Sequence, residues 1–399
     1  MALMPVADAL ARILEGVKPL AAEAVPLAQA QSRILAKPVK ATRAQPPFDA
    51  SAMDGYAVRA SEAGKGASLS VSGTSQAGAA FTGRLGRGCA IRIFTGAPVP
   101  KGADAILIQE NASRAKDTLT VLESVKPGQH IRRAGLDFRK GDALLPAGKQ
   151  LTARDLMLAA AANNATLPLR RRPVVAILST GDELVEPGQK PGRDQIVSSN
   201  ATGLAALIRH YGGEPLALGI VPDNLTKIRR AIRKAAGADV LLTTGGASVG
   251  DHDLVATALA AEGIRLGFWK IAMRPGKPLM FARHGRQRIL GLPGNPVSAL
   301  LCARIFLKPL LDALLGLPPA GETLSASLSE PLKANGDRQD YIRARAFMAP
   351  DGTFLVEPFS TQDSSMQRLL AEANAVIIRP PHAPAALQGE TVEILPIDF

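Results

Sequence analysis

The stretch that decides the fold starts just after Pro173: Val174-Val175-Ala176-Ile177-Leu178-Ser179-Thr180, an apolar run followed at once by Gly181-Asp182-Glu183. A short apolar run bounded by turn residues predicts a strand buried on both faces. Downstream the pattern alternates. SSNATGLAALIRHYGG (198–213) reads as a capped helix ending in glycine, EPLALGIV (214–221) as a strand and LTKIRRAIRKAAG (225–237) as a helix. DVLLTTGG (239–246) reads as a strand, DHDLVATALAAEG (251–263) as a helix and IRLGFWKIAM (264–273) as a strand. ILGLPG (289–294) then leads into NPVSALLCARIFLKPLLDALLG (295–316). Apolar strands alternating with glycine-terminated helices predict a parallel, doubly wound α/β sheet.

Outward from this centre the character changes. Val6, Leu10, Ile13, Leu14 and Val17 recur at helical spacing, and residues 25–45 read as a proline-bearing connector with a strand or two. Between Gly66 and Leu151 short β-like runs alternate with Gly- and Pro-rich turns: SLSVSGT, CAIRIFTG, AILIQE, TLTVLESV and DALLPAG. The helix TARDLMLAAAANNA follows, with Thr152 as its N-cap. After Pro318 strands return (LSASLS, DYIRARAF, TFLVEPF, VEILPI) around one helix, SSMQRLLAEANA. The fold expected is therefore multi-domain α/β, with a central doubly wound domain, a mostly-β N-terminal module and a small β-rich C-terminal domain. The boundaries expected are 1–45 with 141–170, then 46–140, 171–318 and 319–399.

Composition excludes several classes. The 399 residues are 46% hydrophobic and 21% charged, with 37 Gly and 30 Pro, which rules out disordered, collagen-like and fibrous chains. Cys89 and Cys302 are the only cysteines and form no CxxC, so neither a disulfide framework nor a thiolate zinc site is expected. Both read as core residues. The five histidines contain no HExxH. The net charge is +12, yet aromatics are only 4% with one Trp, and no nucleic-acid motif occurs. A basic surface that attracts small anions is expected, and no nucleic acid. The N-terminus has no basic n-region or continuous apolar core, and the apolar stretch 297–317 carries Arg304, Lys308 and Asp312. It reads as an amphipathic helix, not a membrane span; the protein expected is soluble and cytoplasmic.

In an open α/β sheet, ligands bind outside the carboxyl ends of the strands. There this chain places Gly181-Asp182-Glu183, Pro222-Asp223-Asn224, the Gly245–Asp251 loop, Arg274-Pro275-Gly276-Lys277 and Pro293-Gly294-Asn295. The loops at Gly245–Gly250 and at Gly294 both run into helices, where backbone N–H groups suit a phosphate. The pattern is neither GxGxxG nor a P-loop, so NAD binding and ordinary P-loop ATPase activity lack support. Glu183, Asp223 and Asp251 suit a hard divalent cation such as Mg²⁺; Lys270, Arg274 and Lys277 suit an oxyanion. Asp223 and Asp251 are equally readable as helix N-caps. In the N-terminal half, PPFDASAMDGYAV (46–58) is too rich in turn residues for a core strand and too apolar for a loose linker. It reads as a structured turn presenting or capping with Asp54.

SAMDGYAV, FTGAPVP, STGDELVEPG, SSN before a helix, LLTTGGASVGDHD, WKIAMRPGKPL and GLPGNPVSAL occur in this order. Together they closely resemble the MoeA family, the molybdopterin molybdenumtransferases or molybdenum insertases, related to the E domain of plant and animal fusion proteins. The resemblance spans essentially the whole chain. It implies insertion of molybdate into adenylylated molybdopterin with Mg²⁺, giving molybdenum cofactor and AMP, by a homodimer of L-shaped, four-domain subunits. It implies acidic catalytic or metal-binding residues at Asp54, Asp137, Glu183, Asp223 and Asp251. Substrate, phosphate and molybdate contacts are implied at Thr95, Ser248, Lys270, Arg274, Lys277 and Asn295, with Arg338, Arg343, Ser364 and Ser365 near positions the family uses. Some members carry lysine at Arg274, which exchanges a point donor for a planar fork. The MDGYAV module is implied to meet the sheet edge of the other subunit. Contacts with the molybdopterin adenylyltransferase and with acceptor molybdoenzymes are also implied.

Two rival readings come from the same sequence. The related enzyme that adenylylates molybdopterin with ATP shares the TTGGxSxG-type α/β domain, but it is a single domain. A non-enzymatic scaffold is the other, although nothing here resembles a long linker or a second fused enzyme.

Overall fold

The structure, a computed structural model, describes residues 3–245, 254–318, 323–397 and 399. The chain divides into two compact units, Ala24–Leu169 and Met1–Glu23 with Arg170–Phe399.

The unit Ala24–Leu169 is built on a six-stranded sheet in the order Ala105–Ile108, Gly55–Val58, Cys89–Ile93, Ser68–Ser75, Thr118–Val121, Ala112–Ala115. The GYAV of the MDGYAV motif departs from its reading as a turn: Gly55–Val58 is a fully buried strand, antiparallel to both neighbours. Tyr56 and Val58 face one apolar cluster and Ala57 the other, as the two-residue period requires. Turn-forming composition misleads here because Gly55 is needed for space. A Cβ at Gly55 would lie 2.1 Å from the Leu107 carbonyl oxygen. Gly55→Ala is therefore expected to destabilise this unit by about 1–3 kcal/mol, the usual range for overpacking, seen as a lower urea midpoint. An unchanged midpoint would contradict this packing.

The expected helix is present as Ala153–Ala161. Both the backbone N–H and the hydroxyl of Thr152 donate to Asp155, at 2.8 and 2.7 Å, and Lys149 Nζ lies 2.9 Å from the same carboxylate. Burial raises the Asp155 pKa, but these donors outweigh it and hold it at about 2.

The other unit contains the doubly wound domain. Its strands lie in the order Glu214–Val221, Val174–Thr180, Val240–Thr244, Gln287–Leu292, Met280–His284, Leu266–Trp269. The first four are mutually parallel, whereas Met280–His284 runs against both of its neighbours. This hairpin strand is the departure from an all-parallel sheet. Its MFARH ends in polar residues and lies between glycines, so no long apolar run marks it. Because Leu266–Trp269 is again parallel to Gln287–Leu292, its carboxyl end still emerges on the common edge.

Alternation along the strands separates two cores. Val175, Ile177, Val240, Leu242 and Leu290 pack with the helices Val6–Leu14, Asn200–His210 and the 296–315 helical stretch. Ala176, Leu178, Leu241 and Ile289 pack with Leu225–Lys234 and Leu254–Ala261 on the other face. The 297–317 stretch differs from an amphipathic reading. Its Arg304 and Asp312 are only 5% and 4% exposed, and Lys308 Nζ binds Asp312 at 2.7 Å, so the helix is buried nearly all round.

Beyond it, five strands close on themselves in the order Gln339–Met348, Phe354–Pro358, Leu324–Leu328, Thr391–Pro396, Ala375–Arg379, the last pairing back to the first. Closure leaves no free edge in this small barrel. The two-residue strand Met273–Arg274 pairs in parallel with Gln339–Asp340, tying the lysine-bearing loop of the α/β domain to the barrel.

Candidate functional site

Where Val174–Thr180 and Val240–Thr244 end, two neighbouring chains must turn away in almost no space. Gly245 takes φ +88°, and a Cβ there would sit 2.2 Å from the Thr180 carbonyl oxygen, so only glycine fits. This close approach opens a cleft of about 460 Å³ lined by Thr180, Glu183, Asn200, Gly245, Asn295 and Ser365 among others. Asn200 Nδ2 donates to the Gly294 carbonyl at 2.7 Å, which fixes the amide. Among the described residues its Oδ1 and the hydroxyl of Thr180 are buried without a hydrogen-bond partner. Native proteins rarely leave such groups unsatisfied, so these two, which line the cleft, are candidate contacts for a polar ligand.

The opposite wall comes from the barrel domain. Asn295 Nδ2 donates to Ser364 Oγ at 2.7 Å, and the Val297 N–H donates to the Ser364 carbonyl at 3.1 Å, seating that loop on the start of the helix Pro296–Cys302. Asp363 accepts from both the N–H and the hydroxyl of Ser365, at 2.8 and 2.7 Å, and those bonds lower its pKa. Arg343 is 1% exposed and donates to the carbonyls of Met366 and Asp363 at 3.1 and 2.8 Å. It reaches the site indirectly, by clamping this loop.

Beside the cleft, the cap position after Val221 is resolved. Asn224, not Asp223, caps Leu225–Lys234, accepting from the Lys227 N–H at 3.1 Å. Asp223 is left exposed, and its N–H donates to Asp182 at 3.1 Å. Partial desolvation, then the negative charges of Asp182 and Glu183, raise the Asp223 pKa. In the metal-free protein, Asp182→Asn removes one like charge while keeping the accepting oxygen. Asp223 should then titrate at lower pH in a carbon-13 NMR titration, and an unchanged or higher midpoint would contradict the described cluster.

The loop 270–279 joins two strand ends on this same edge. Lys270 sits at φ +71° with its Nζ 4.8 Å from the Trp269 ring centre, and Lys277 is exposed. Neither ammonium has a carboxylate partner among the described residues. Arg274 is different: it is ion-paired with Asp340, a carboxylate only 4% exposed, beside a second cleft of about 280 Å³. Arg338 is half-buried, and its carbonyl accepts from Asn335 Nδ2 at 2.8 Å.

The first cleft thus gathers Glu183 and Asn295 directly and Ser364 through Asn295. Asp223, Lys270 and Lys277 lie on loops of the same edge but outside its lining, while Arg274 and Arg338 belong to the barrel contacts. Ser248 and Asp251 fall outside the described residues. In the other unit, Asp54 accepts from the N–H and the hydroxyl of Thr95 at 2.7 and 2.8 Å, bonds that lower its pKa, so these two predicted residues do meet. Asp137 there is exposed. Sequence reasoning missed Thr180, Asn200 and Asp340 as site or support residues, and placed Asp182 on the edge without giving it a role. Thr180 and Asn200 stand inside quoted motifs, so position alone could have raised them; Asp340 is found only through its pairing.

A doubly wound sheet with a polar cleft at its carboxyl edge, walled by a small closed barrel, defines a multi-domain α/β protein with a candidate ligand site at that edge. Residues 176–313 match the family described as a probable molybdopterin binding domain. Residues 4–163 match the MoeA N-terminal region (domain I and II), and 325–397 the MoeA C-terminal region (domain IV). The chain belongs to the MoeA family. It is 37% identical over 387 residues to the molybdopterin molybdenumtransferase of Haemophilus influenzae, covering 95% of each chain. With the enzyme of that name from Nostoc sp. it shares 38% identity, over 94% of this chain and 88% of the relative. A crystal structure of the molybdopterin biosynthesis protein MoeA from Pyrococcus horikoshii superposes with a TM-score of 0.86 at 28% identity, covering 99% of both chains.

Proposed function

We propose that this chain is an enzyme of molybdenum cofactor biosynthesis that inserts molybdate into adenylylated molybdopterin, yielding molybdenum cofactor and AMP. The observation that carries the reading is the full-length match to enzymes named molybdopterin molybdenumtransferase. The edge geometry supports it in kind. Thr180 and Asn200 offer unsatisfied polar groups to the pterin or its phosphate, and Gly245 lets backbone approach it. Lys270 and Lys277 supply positive charge for phosphate and for molybdate, a tetrahedral dianion that is substrate. Sulfur displaces an oxide from molybdenum, and that oxide needs a proton to depart.

Mg²⁺ fits the same edge. Among the described residues no group of three or more His, Cys, Asp or Glu closes around a metal, yet Mg²⁺ is usually held by one or two carboxylates plus substrate phosphates. Glu183 and Asp223, close enough for their charges to interact, would hold it with Asp251. When bound it neutralises the phosphoanhydride and eases departure of AMP. The negative charges of Asp182 and Glu183 that raise the Asp223 pKa are ones a bound cation would offset.

The reading includes the four-part domain division, a cytoplasmic location and a homodimer; no helix among the described residues is long and apolar enough to cross a membrane. The family resemblance implies that the MDGYAV module, with Asp54, meets the sheet edge of the other subunit. Two inactive variants, Asp54→Ala and Asp251→Ala, test this when mixed under subunit exchange verified by native mass spectrometry. Sharing in trans gives each heterodimer one intact site and restores roughly a quarter of wild-type activity. No recovery would defeat it. The rival adenylyltransferase reading is not favoured, because the matches extend across the N- and C-terminal regions. Purified protein with molybdopterin and ATP should leave the ATP intact; consumption of ATP would reverse the assignment.

A further inference from the structure

At the opposite edge of the same sheet, where Val174–Thr180, Val240–Thr244 and Gln287–Leu292 begin, lies a third cavity, of about 500 Å³. Lys18, Arg171, Arg283, Arg286 and Arg288 line it against a single lining carboxylate, Asp239. That carboxylate is fully engaged. It accepts both terminal nitrogens of Arg171 at 2.7 Å and the Val174 N–H at 2.8 Å.

Arg288 is the unusual member. It is 3% exposed, and its guanidinium donates only to carbonyls, those of Ile13 at 3.2 Å, Glu15 at 2.6 Å and Arg286 at 3.2 Å. Those bonds cap the end of Val6–Leu14 but bring no net negative charge. Burial and the like charge of Arg283 push its pKa down, with only the Glu15 carboxylate acting the other way. Arg283 Nε donates to the Gly285 carbonyl at 3.1 Å. Among the described residues Lys18, Arg283, Arg286 and Arg288 form no ion pair. Arg283, Arg286 and Lys18 are exposed and so available to a ligand.

Four cations without an ion-pair partner among the described residues, around one concavity, concentrate positive potential that an incoming anion relieves. The volume lies in the range of small-molecule pockets, and Val17, Leu20 and Leu314 add an apolar wall. The geometry points to a second anion site, at the sheet edge opposite the molybdopterin cleft, that takes a small phosphate-bearing polyanion. Pyrophosphate and nucleotides share that chemistry; the wall is suited to the organic part of a nucleotide.

Calorimetric titration of the full chain with inorganic pyrophosphate, and in parallel with ATP, tests the site. Wild-type protein should bind pyrophosphate saturably, more weakly at high salt. The double variant Arg283→Gln/Arg286→Gln, altered only at exposed side chains, should lose at least about tenfold in affinity and retain the wild-type Tm. Lys140→Gln, an exposed charge outside both clefts, should bind as wild type. Tighter binding of ATP than of pyrophosphate would assign the apolar wall to a nucleoside, and equal binding would assign the site to phosphate alone; both support it. Absence of saturable binding, affinity unchanged in the double variant, or an equal loss in Lys140→Gln would overturn it.

Discussion

Lys277→Ala should lower molybdate-dependent AMP release about a hundredfold or more. The ammonium is exposed on a loop whose two ends are fixed by strands of the carboxyl edge, and Ile271 N–H binds the Lys277 carbonyl at 2.9 Å, so the backbone position survives the substitution. On the proposed function the substitution removes positive charge near developing and transferred negative charge, and losing one such preorganised group typically costs two to three orders of magnitude. The molybdate concentration for half-maximal rate, or the KM for the adenylylated substrate, should rise as well, while the Tm stays that of wild type. Lys277→Arg keeps the charge and should restore part of the activity. Unchanged dependence on both ligands would remove Lys277 from the site.

Arg343→Leu is expected to have the largest effect on stability, about 3 kcal/mol or more, because several loop carbonyls lose their donor inside the protein. The buried guanidinium holds Met366 and Asp363, and through them the turn that seats Ser364 on Asn295 and Ser365 in the cleft. Loss of this clamp should lower Tm and weaken substrate binding together. Arg343→Lys retains the charge but not the fork, so partial rescue of Tm with a persistently raised KM would separate loop positioning from mere burial. A variant with wild-type Tm and KM would contradict the clamp.

Some of this was legible in the chain. The runs at 174–180, 214–221 and 240–244 are apolar enough that only a buried sheet accommodates them, and their glycine-rich exits locate the carboxyl edge. The ordered motifs specify the family. Three things escaped. Met280–His284 carries little periodicity, so the reversed strand was invisible. GYAV looked like a turn because the need for Gly55 arises from the Leu107 carbonyl, a neighbour about fifty residues away in sequence. The Arg274–Asp340 pair depends on Met273–Arg274 joining the barrel, a non-local pairing that no sequence window contains. The same cause hides the role of Arg343: the resemblance points to the residue, but in sequence it is one arginine on an alternating strand, and only the fold makes it the support of the 361–366 loop.

The central claim is tested most directly by incubating the purified chain with adenylylated molybdopterin, Mg²⁺ and molybdate, and following AMP. The account predicts AMP release that requires molybdate and accompanies the appearance of molybdenum cofactor. AMP release indifferent to molybdate, or adenylylation of molybdopterin from ATP with no use of molybdate, would contradict it.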